Sequence, residues 1–346
     1  MRTPEPHPIL TTPGWGQSRL RWTVASIFAV AVALALATGA QAVGPYPALG
    51  ACTVFPAPPA SLPPTAPSAA DESAWNQDIS KAPVDPHSAA YIAYIDAHGG
   101  DHLHPDFGSP RAYGFPYAVV GAGQPKLRIN YTAYGSESDK GPFPIPKGAP
   151  VEGGQGSDGD RHVLVVDRSS CTLYELYRAF FSSKGGAHWN ADAGVKWDLA
   201  STALRPDSWT SADAAGLPIF PGLVRYDEAA AGTINHAIRV TFDSTRNAWV
   251  HPASHCAGDT SSPNAPPMGL RLRLKAGYGL GGFSGQAKAV ATALKTYGMI
   301  VADNGSNWYF SGSSDRRWDD ENLNQLKSIP GSAFQVVKSA ARIHAC

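Results

Sequence analysis

The sequence predicts a mainly β fold, an antiparallel sandwich or jelly roll with a few peripheral α-helices, with an α+β arrangement as the alternative. Three observations carry this. Six short runs (YAVVGA, KLRINYTAY, HVLVVD, TLYELY, HAIRVTF and LRLRLK) are rich in β-branched or aromatic residues and separated by Gly, Pro and Asp clusters. In LRLRLK, Leu270, Leu272 and Leu274 alternate with Arg271, Arg273 and Lys275, the period of a strand with one face buried and one wet. The few helix signals fall between strands without the regular βαβ alternation of a parallel sheet.

The first element is a leader. Arg19 and Arg21 precede an apolar run from Trp22 to Ala37, and Ala40-Gln41-Ala42 supplies the small-x-small pattern that signal peptidase needs. We read residues 1–42 as a secretory signal, because the run is too short and wrongly flanked for a lasting anchor. Residues 43–74 follow as a proline-rich linker, clearest in FPAPPASLPPTAPSAA, and residues 75–346 as a single β-rich domain.

Within the domain, Ser88 is placed to cap a helix over AAYIAYIDAH that Gly99 would close. Asp167-Arg168-Ser169-Ser170 separates HVLVVD from TLYELY as the turn of a hairpin. Thr210 and Asp213 resemble a capping box opening the turn TSADAAG. In HAIRVTF, His236 is in phase with Ile238, Val240 and Phe242 and so points to the packed side or a concave sheet face. Ser284 opens the best helix, with Ala287, Val290, Ala291, Leu294 and Tyr297 on one stripe and Gly298 at its end. Asp303-Asn304-Gly305-Ser306 reads as a hairpin turn between MIVA and WYF. Asp319-Asp320-Glu321 begins the last helix, where carboxylates answer the free amides of its first turn.

Charged residues are 16% of the chain, well below the usual quarter, and the formal net charge is zero, so nothing favours nucleic acid or anionic lipid as a partner. No membrane association is expected once the leader is removed. Four cysteines at wide spacing in an exported chain favour two disulfides over a metal site. Three connectivities exist, of which Cys52–Cys171 with Cys256–Cys346 is the expected one.

Several motifs have plainer explanations. Gly277-x-Gly279-x-x-Gly282 between a strand and a helix, with Asp303 beyond, imitates a dinucleotide fingerprint. Its strand, however, is charged on one face, its helix cap lies past the last glycine, and an exported chain leaves the nicotinamide pool. His251 and His255, and the loop Asp101-His102-Leu103-His104-Pro105-Asp106, contain metal-ligand types, but Pro252 denies the first pair a shared helix face. No Gly-x-Ser-x-Gly nucleophile elbow occurs, and no cofactor is expected.

The site prediction rests on VEGGQGSDGDRHVLVVD, a glycine-rich acidic loop running into a strand. Glu152 and Asp160 are the proposed acid–base pair, with Asp303 a further catalytic candidate. His162, His236, Trp308 and Tyr309 are the candidate substrate-binding residues, since aromatic rings stack on sugar faces. Aromatic residues make up 10% of the chain, which makes a polysaccharide or oligosaccharide the expected partner. Glu137 and Asp139 add carboxylates in a separate loop. The leading expectation is therefore an exported glycoside hydrolase; the alternatives are a non-catalytic glycan or cell-wall binding protein and a zinc-dependent hydrolase.

The stretches HPDFGSPRAYGFPYAVVGAGQP, ESDKGPFPIPKGAPVEGG, DRHVLVVD, ALRPDSWTSADAAGLPIFPGLVRYDE, PPMGLRLRLKA and YGMIVADNGSNWYFSG together resemble a group of exported bacterial proteins. The resemblance spans about Cys52 to Val337 and implies one continuous domain. It carries over no catalytic residues, and the Cys256 and Cys346 pair departs from it.

Overall fold

A computed structural model of the chain describes residues 44–52, 54, 74–109, 113–201 and 203–346. The leader and most of the proline-rich linker lie outside the described residues. Gly39–Cys346 forms one compact unit.

Among the described residues the fold is mainly β, with strands in four mixed sheets and four short α-helices, as the strand-rich pattern predicts. The largest sheet has six strands in the order β1 (His104–Pro105), β14 (Tyr309–Phe310), β9 (Ile238–Phe242), β13 (Met299–Asn304), β12 (Arg271–Leu274) and β15 (Phe334–Val336). A four-stranded sheet runs β2 (Tyr117–Val120), β4 (Val163–Asp167), β5 (Thr172–Tyr177), β8 (Ala193–Asp198). A three-stranded sheet, β3 (Arg128–Tyr131), β7 (His188–Ala191), β6 (Phe180–Ser182), packs on it. The fourth joins β11 (Pro267–Met268), β10 (Arg246–Trp249) and β16 (His344–Ala345).

Strand β4 shows why these sheets stack. All five of its residues are buried: Leu164 and Val166 enter the larger core, while Val163 and Val165 enter a smaller core shared with Trp189 and Phe143. A strand without a wet face needs a layer on each side, which is the sandwich. The predicted hairpin at Asp167 is present, with β4 and β5 antiparallel and Asp167 Oδ1 accepting from Ser169 N at 2.9 Å.

The sheets are mixed because the chain leaves and returns by long connections. Between β9 and its parallel neighbour β13 lie three other strands and α3 (Gly285–Thr296). Strands β12 and β13, on either side of the glycine-rich loop, are antiparallel, so the dinucleotide-type parallel unit is absent there. The hairpin expected at Asn304-Gly305 is corrected: β13 and β14 do not pair but flank β9, and Gly305 N donates to Phe242 O across the end of that strand. The charged face of LRLRLK is also not open. Arg273 is buried and donates to Ile79 O, because the segment before α1 (Ser88–Ala97) covers it.

Two caps differ from expectation. Ser88 lies within α1, and its Oγ accepts from Val336 N at 2.8 Å, tying the helix to β15. The Asp213 carboxylate does not cap a helix; it faces Arg239. Asp319 does cap α4 (Asp320–Asn324), accepting from Asn322 N at 3.1 Å. Both expected disulfides form, Cys52 to Cys171 and Cys256 to Cys346, the first fastening the segment after Gly44 to the β4–β5 turn.

Candidate functional site

The loop from Val151 to Asp160 is held by one arginine. Arg161 is 3% exposed, and its guanidinium donates to Ala179 O at 3.1 Å, Gln155 O at 3.0 Å and Ser157 O at 2.6 Å. Gly153 and Gly154 take φ of 69° and 99°, which side chains other than glycine resist. Arg161 itself adopts φ 53°, a left-handed conformation that costs a non-glycine residue energy and is maintained here by those carbonyl bonds. The turn leaves Asp160 at the surface and sends His162 inward, in phase with Leu164 and Val166.

Buried His162 is bonded at both ring nitrogens, Nδ1 to Glu152 Oε2 at 2.5 Å and Nε2 to Ala212 O at 2.9 Å. A carbonyl only accepts, so Nε2 carries a proton, and the carboxylate favours a second on Nδ1. Burial opposes this charge, but the Glu152 carboxylate outweighs it and raises the His162 pKa to about 9. Burial likewise pushes Glu152 up, and the imidazolium more than reverses it, holding that carboxyl below its ordinary value. His162 is therefore a cationic partner that positions Glu152 and has no free lone pair for use as a base.

Beside this pair, a second network centres on Arg239 of β9. Its Nε and Nη2 donate to the two oxygens of buried Asp213 at 2.9 and 2.7 Å, Nη2 also donates to Asp303 Oδ2 at 2.7 Å, and Nη1 to Ser311 Oγ at 2.9 Å. Phe115 covers the guanidinium, its ring centroid 5.3 Å away, and lies against His162 at 5.4 Å. One cation thus serves two carboxylates. Burial pushes Asp303 up, Arg239 lowers it, Asp213 raises it again, and its pKa comes to about 6. Asp303 Oδ1 accepts from Asn304 N at 2.8 Å, so both oxygens have fixed directions.

These groups border a cleft of about 200 Å³ lined by Asp160, His162, Asp213, Asp303, Tyr134 and Tyr177, with Thr210, Ser211 and His255 on its wall. That wall is built by carboxylates from the Glu137 loop. Glu137 accepts from Thr210 N at 2.8 Å, and Asp139 accepts from Arg205 at 2.9 Å. Gly216, at φ 72°, lets the wall approach Ser254, where a Cβ would collide with its Oγ. The arrangement places a carboxyl raised above its ordinary value in the same polar slot as Asp160 and two tyrosine rings.

Of the residues singled out from sequence, Asp160, His162 and Asp303 line this cleft, and Glu152 stands behind His162. The others lie elsewhere. His236 is buried against Glu228, with Nε2 3.3 Å from Oε2. Trp308 has no exposed surface and donates from Nε1 to Asp96 at 2.8 Å, so it is a core residue rather than a sugar platform. Trp189, Trp197, Trp249 and Trp318 are likewise buried. Tyr309 borders a different cleft, stacked on His104. Sequence reading passed over Arg239, Tyr134 and Tyr177, and gave Asp213 a capping role and His255 a place among metal-ligand types. Arg239 carried a usable signal: it alternates with Ile238 and Val240, so a charge faced away from the core on a strand otherwise apolar on that core side.

The histidines considered for zinc do not converge. His251 Nε2 is 3.5 Å from Asp207, His255 Nδ1 bonds Ala214 O, and His102 pairs with Asp101. Among the described residues no group of three or more His, Cys, Asp or Glu is placed to hold a metal ion. No helix among them is long and apolar enough to cross a membrane. No family model matches the chain, and no curated protein or solved structure matches it either.

Proposed function

We propose that the protein is an exported carbohydrate-active hydrolase that cleaves glycosidic bonds in the cleft between Asp160 and Asp303. The observation that carries this reading is that Asp303, which shares the Arg239 guanidinium with Asp213, lines one polar cleft together with Asp160. Glycoside cleavage needs one carboxyl protonated and another ionised on either side of the scissile bond. Asp303 donates its proton to the glycosidic oxygen as the bond from that oxygen to the anomeric carbon breaks. Asp160 takes the opposite role, accepting a proton from water or attacking the anomeric carbon. Glu152, one of the acid–base pair suggested by sequence, becomes a positioning residue through its bond to His162. Tyr134 and Tyr177 supply aromatic faces and hydroxyls for a sugar ring. Export is supported by the leader and by two disulfides, which persist in oxidising compartments.

The test is release of reducing ends from a panel of polysaccharides by the purified mature protein, compared with Asp303→Asn and Asp160→Asn. Each substitution is expected to lower release about 10²- to 10⁴-fold in a folded protein. The wild-type rate should fall as pH rises through about 6, because Asp303 then loses the proton it must donate. Unchanged release from both variants removes the assignment. Retention of a glycan with no product over long incubation would make the protein a binding module instead.

A further inference from the structure

A second cleft, of about 340 Å³, lies on the same sheet as the candidate site and is lined by His104, Asp106, Tyr113, Tyr309 and Lys327. Its floor is an aromatic pair: the His104 and Tyr309 rings stack at 4.1 Å with an interplanar angle of 6°. Tyr113 beside it is 56% exposed, the most exposed of the large hydrophobic side chains. Half-buried stacked rings beside an exposed tyrosine in a concave site form a surface suited to sugars, apolar on the face and polar at the edge.

The strand register ties this cleft to the catalytic one. His104 pairs with Tyr309, Tyr309 with Thr241 and Thr241 with Asp303, placing all four in one cross-strand row. Four adjacent strands span three inter-strand spacings, about 14 Å, more than one sugar ring covers. The row beside it, through Arg239, Ser311 and Phe310, is buried. Asp303 bonds Arg239, Arg239 bonds Ser311, and Asp106 follows Pro105, which pairs with Phe310 next to Ser311. Burial and the Glu152 carboxylate push Asp106 up, so the carboxyl of the second cleft lies within the field of the first.

We propose that the His104–Tyr309 cleft is a distal subsite for the same glycan chain whose bond is cleaved at Asp303, so that the preferred substrate is an oligosaccharide longer than a disaccharide. This deepens the hydrolase reading and rests on it for the position of the cleaved bond. The chain is uncharged. Asp160, Asp106 and Asp320 line the two clefts and would repel the carboxylates of a uronic-acid polymer.

The experiment compares cellohexaose, xylohexaose, laminarihexaose and chitohexaose with their disaccharides, and with hexagalacturonate. Binding is read by calorimetry in Asp303→Asn, with and without Tyr309→Ala, and kcat/KM is read in the Asp303 protein. Tyr309→Ala should weaken binding of the recognised neutral hexasaccharide about tenfold, with rescue by Tyr309→Phe. It should lower the hexasaccharide-to-disaccharide ratio of kcat/KM by a similar factor, and hexagalacturonate should not bind. His104→Ala, which removes the other ring, should repeat the effect if Tyr309→Ala does not fold. An unchanged ratio in a protein that does cleave sugars overturns the subsite while leaving the hydrolase reading intact. Tyr309-dependent hexasaccharide binding in a wild-type protein that releases no product overturns the hydrolase reading and keeps the subsite. Absence of hexasaccharide binding, or equal binding of hexagalacturonate, overturns the proposal.

Discussion

Two regions of the molecule are made from the same ingredients, an arginine, a histidine and carboxylates, and shift a carboxyl in opposite directions. Around Arg225, one guanidinium and His236 converge on a single carboxylate, Glu228. Burial raises Glu228, Arg225 and His236 outweigh it, and its pKa falls to about 2. Around Arg239, one guanidinium is divided between Asp213 and Asp303, and His162 is taken up by Glu152. Burial raises Asp303, the shared Arg239 only partly offsets it, Asp213 adds to the rise, and its pKa comes to about 6. What separates a structural ion pair from a proton donor here is the number of carboxylates per cation. Burial is similar in kind at both places, and cleft access differs: Asp303 faces the slot beside Asp160.

Removing the shared cation should have the largest effect. Arg239→Met leaves Asp213, which has no exposed side-chain surface, without its bidentate partner. The expected loss is about 3–5 kcal/mol in urea denaturation, the usual cost of stranding one member of a buried pair. A loss below about 1 kcal/mol would show that Asp213 is satisfied by other groups and would break the comparison. Glu228→Gln sharpens the other side and should cost on the order of 2–3 kcal/mol near neutral pH. A carboxyl lowered from 4.5 to about 2 contributes stability above pH 4.5 that is lost as pH falls toward 2, so the variant and wild type should converge across that window. A difference that persists at the acid end would mean that Glu228 acts by packing rather than charge.

How much of this was legible in the sequence follows from which interactions are local. The Val151–Asp160 loop announced itself because glycines, acids and a histidine precede an apolar strand within a few residues, and its parts do meet in the structure. The β4–β5 hairpin and the Asp319 cap were legible for the same reason. The order β13-β9-β14 was not. Asn304-Gly305 has the chemistry of a tight hairpin, yet the chain uses it to cross the end of β9, a choice set by the packing of a strand some sixty positions earlier. The Arg239 hub depended on that order, since only the flanking of β9 by β13 and β14 brings Asp303 and Ser311 to one guanidinium. The tryptophans misled in a different way. Trp308 was expected to offer a sugar platform, but large rings are also what fills a double-layered core, and Trp308 is buried together with Trp189, Trp197, Trp249 and Trp318. The platforms that face clefts are tyrosines and a histidine.

The account turns on Asp303 titrating above the ordinary carboxylate range because it is buried and shares its cation. The direct test is a carbon-detected NMR titration of the Asp303 side-chain carboxyl in the folded protein. A midpoint near 6 is the predicted result. A midpoint at the ordinary value of 3.8 would show that Arg239 neutralises both aspartates, and would leave the cleft without its acid.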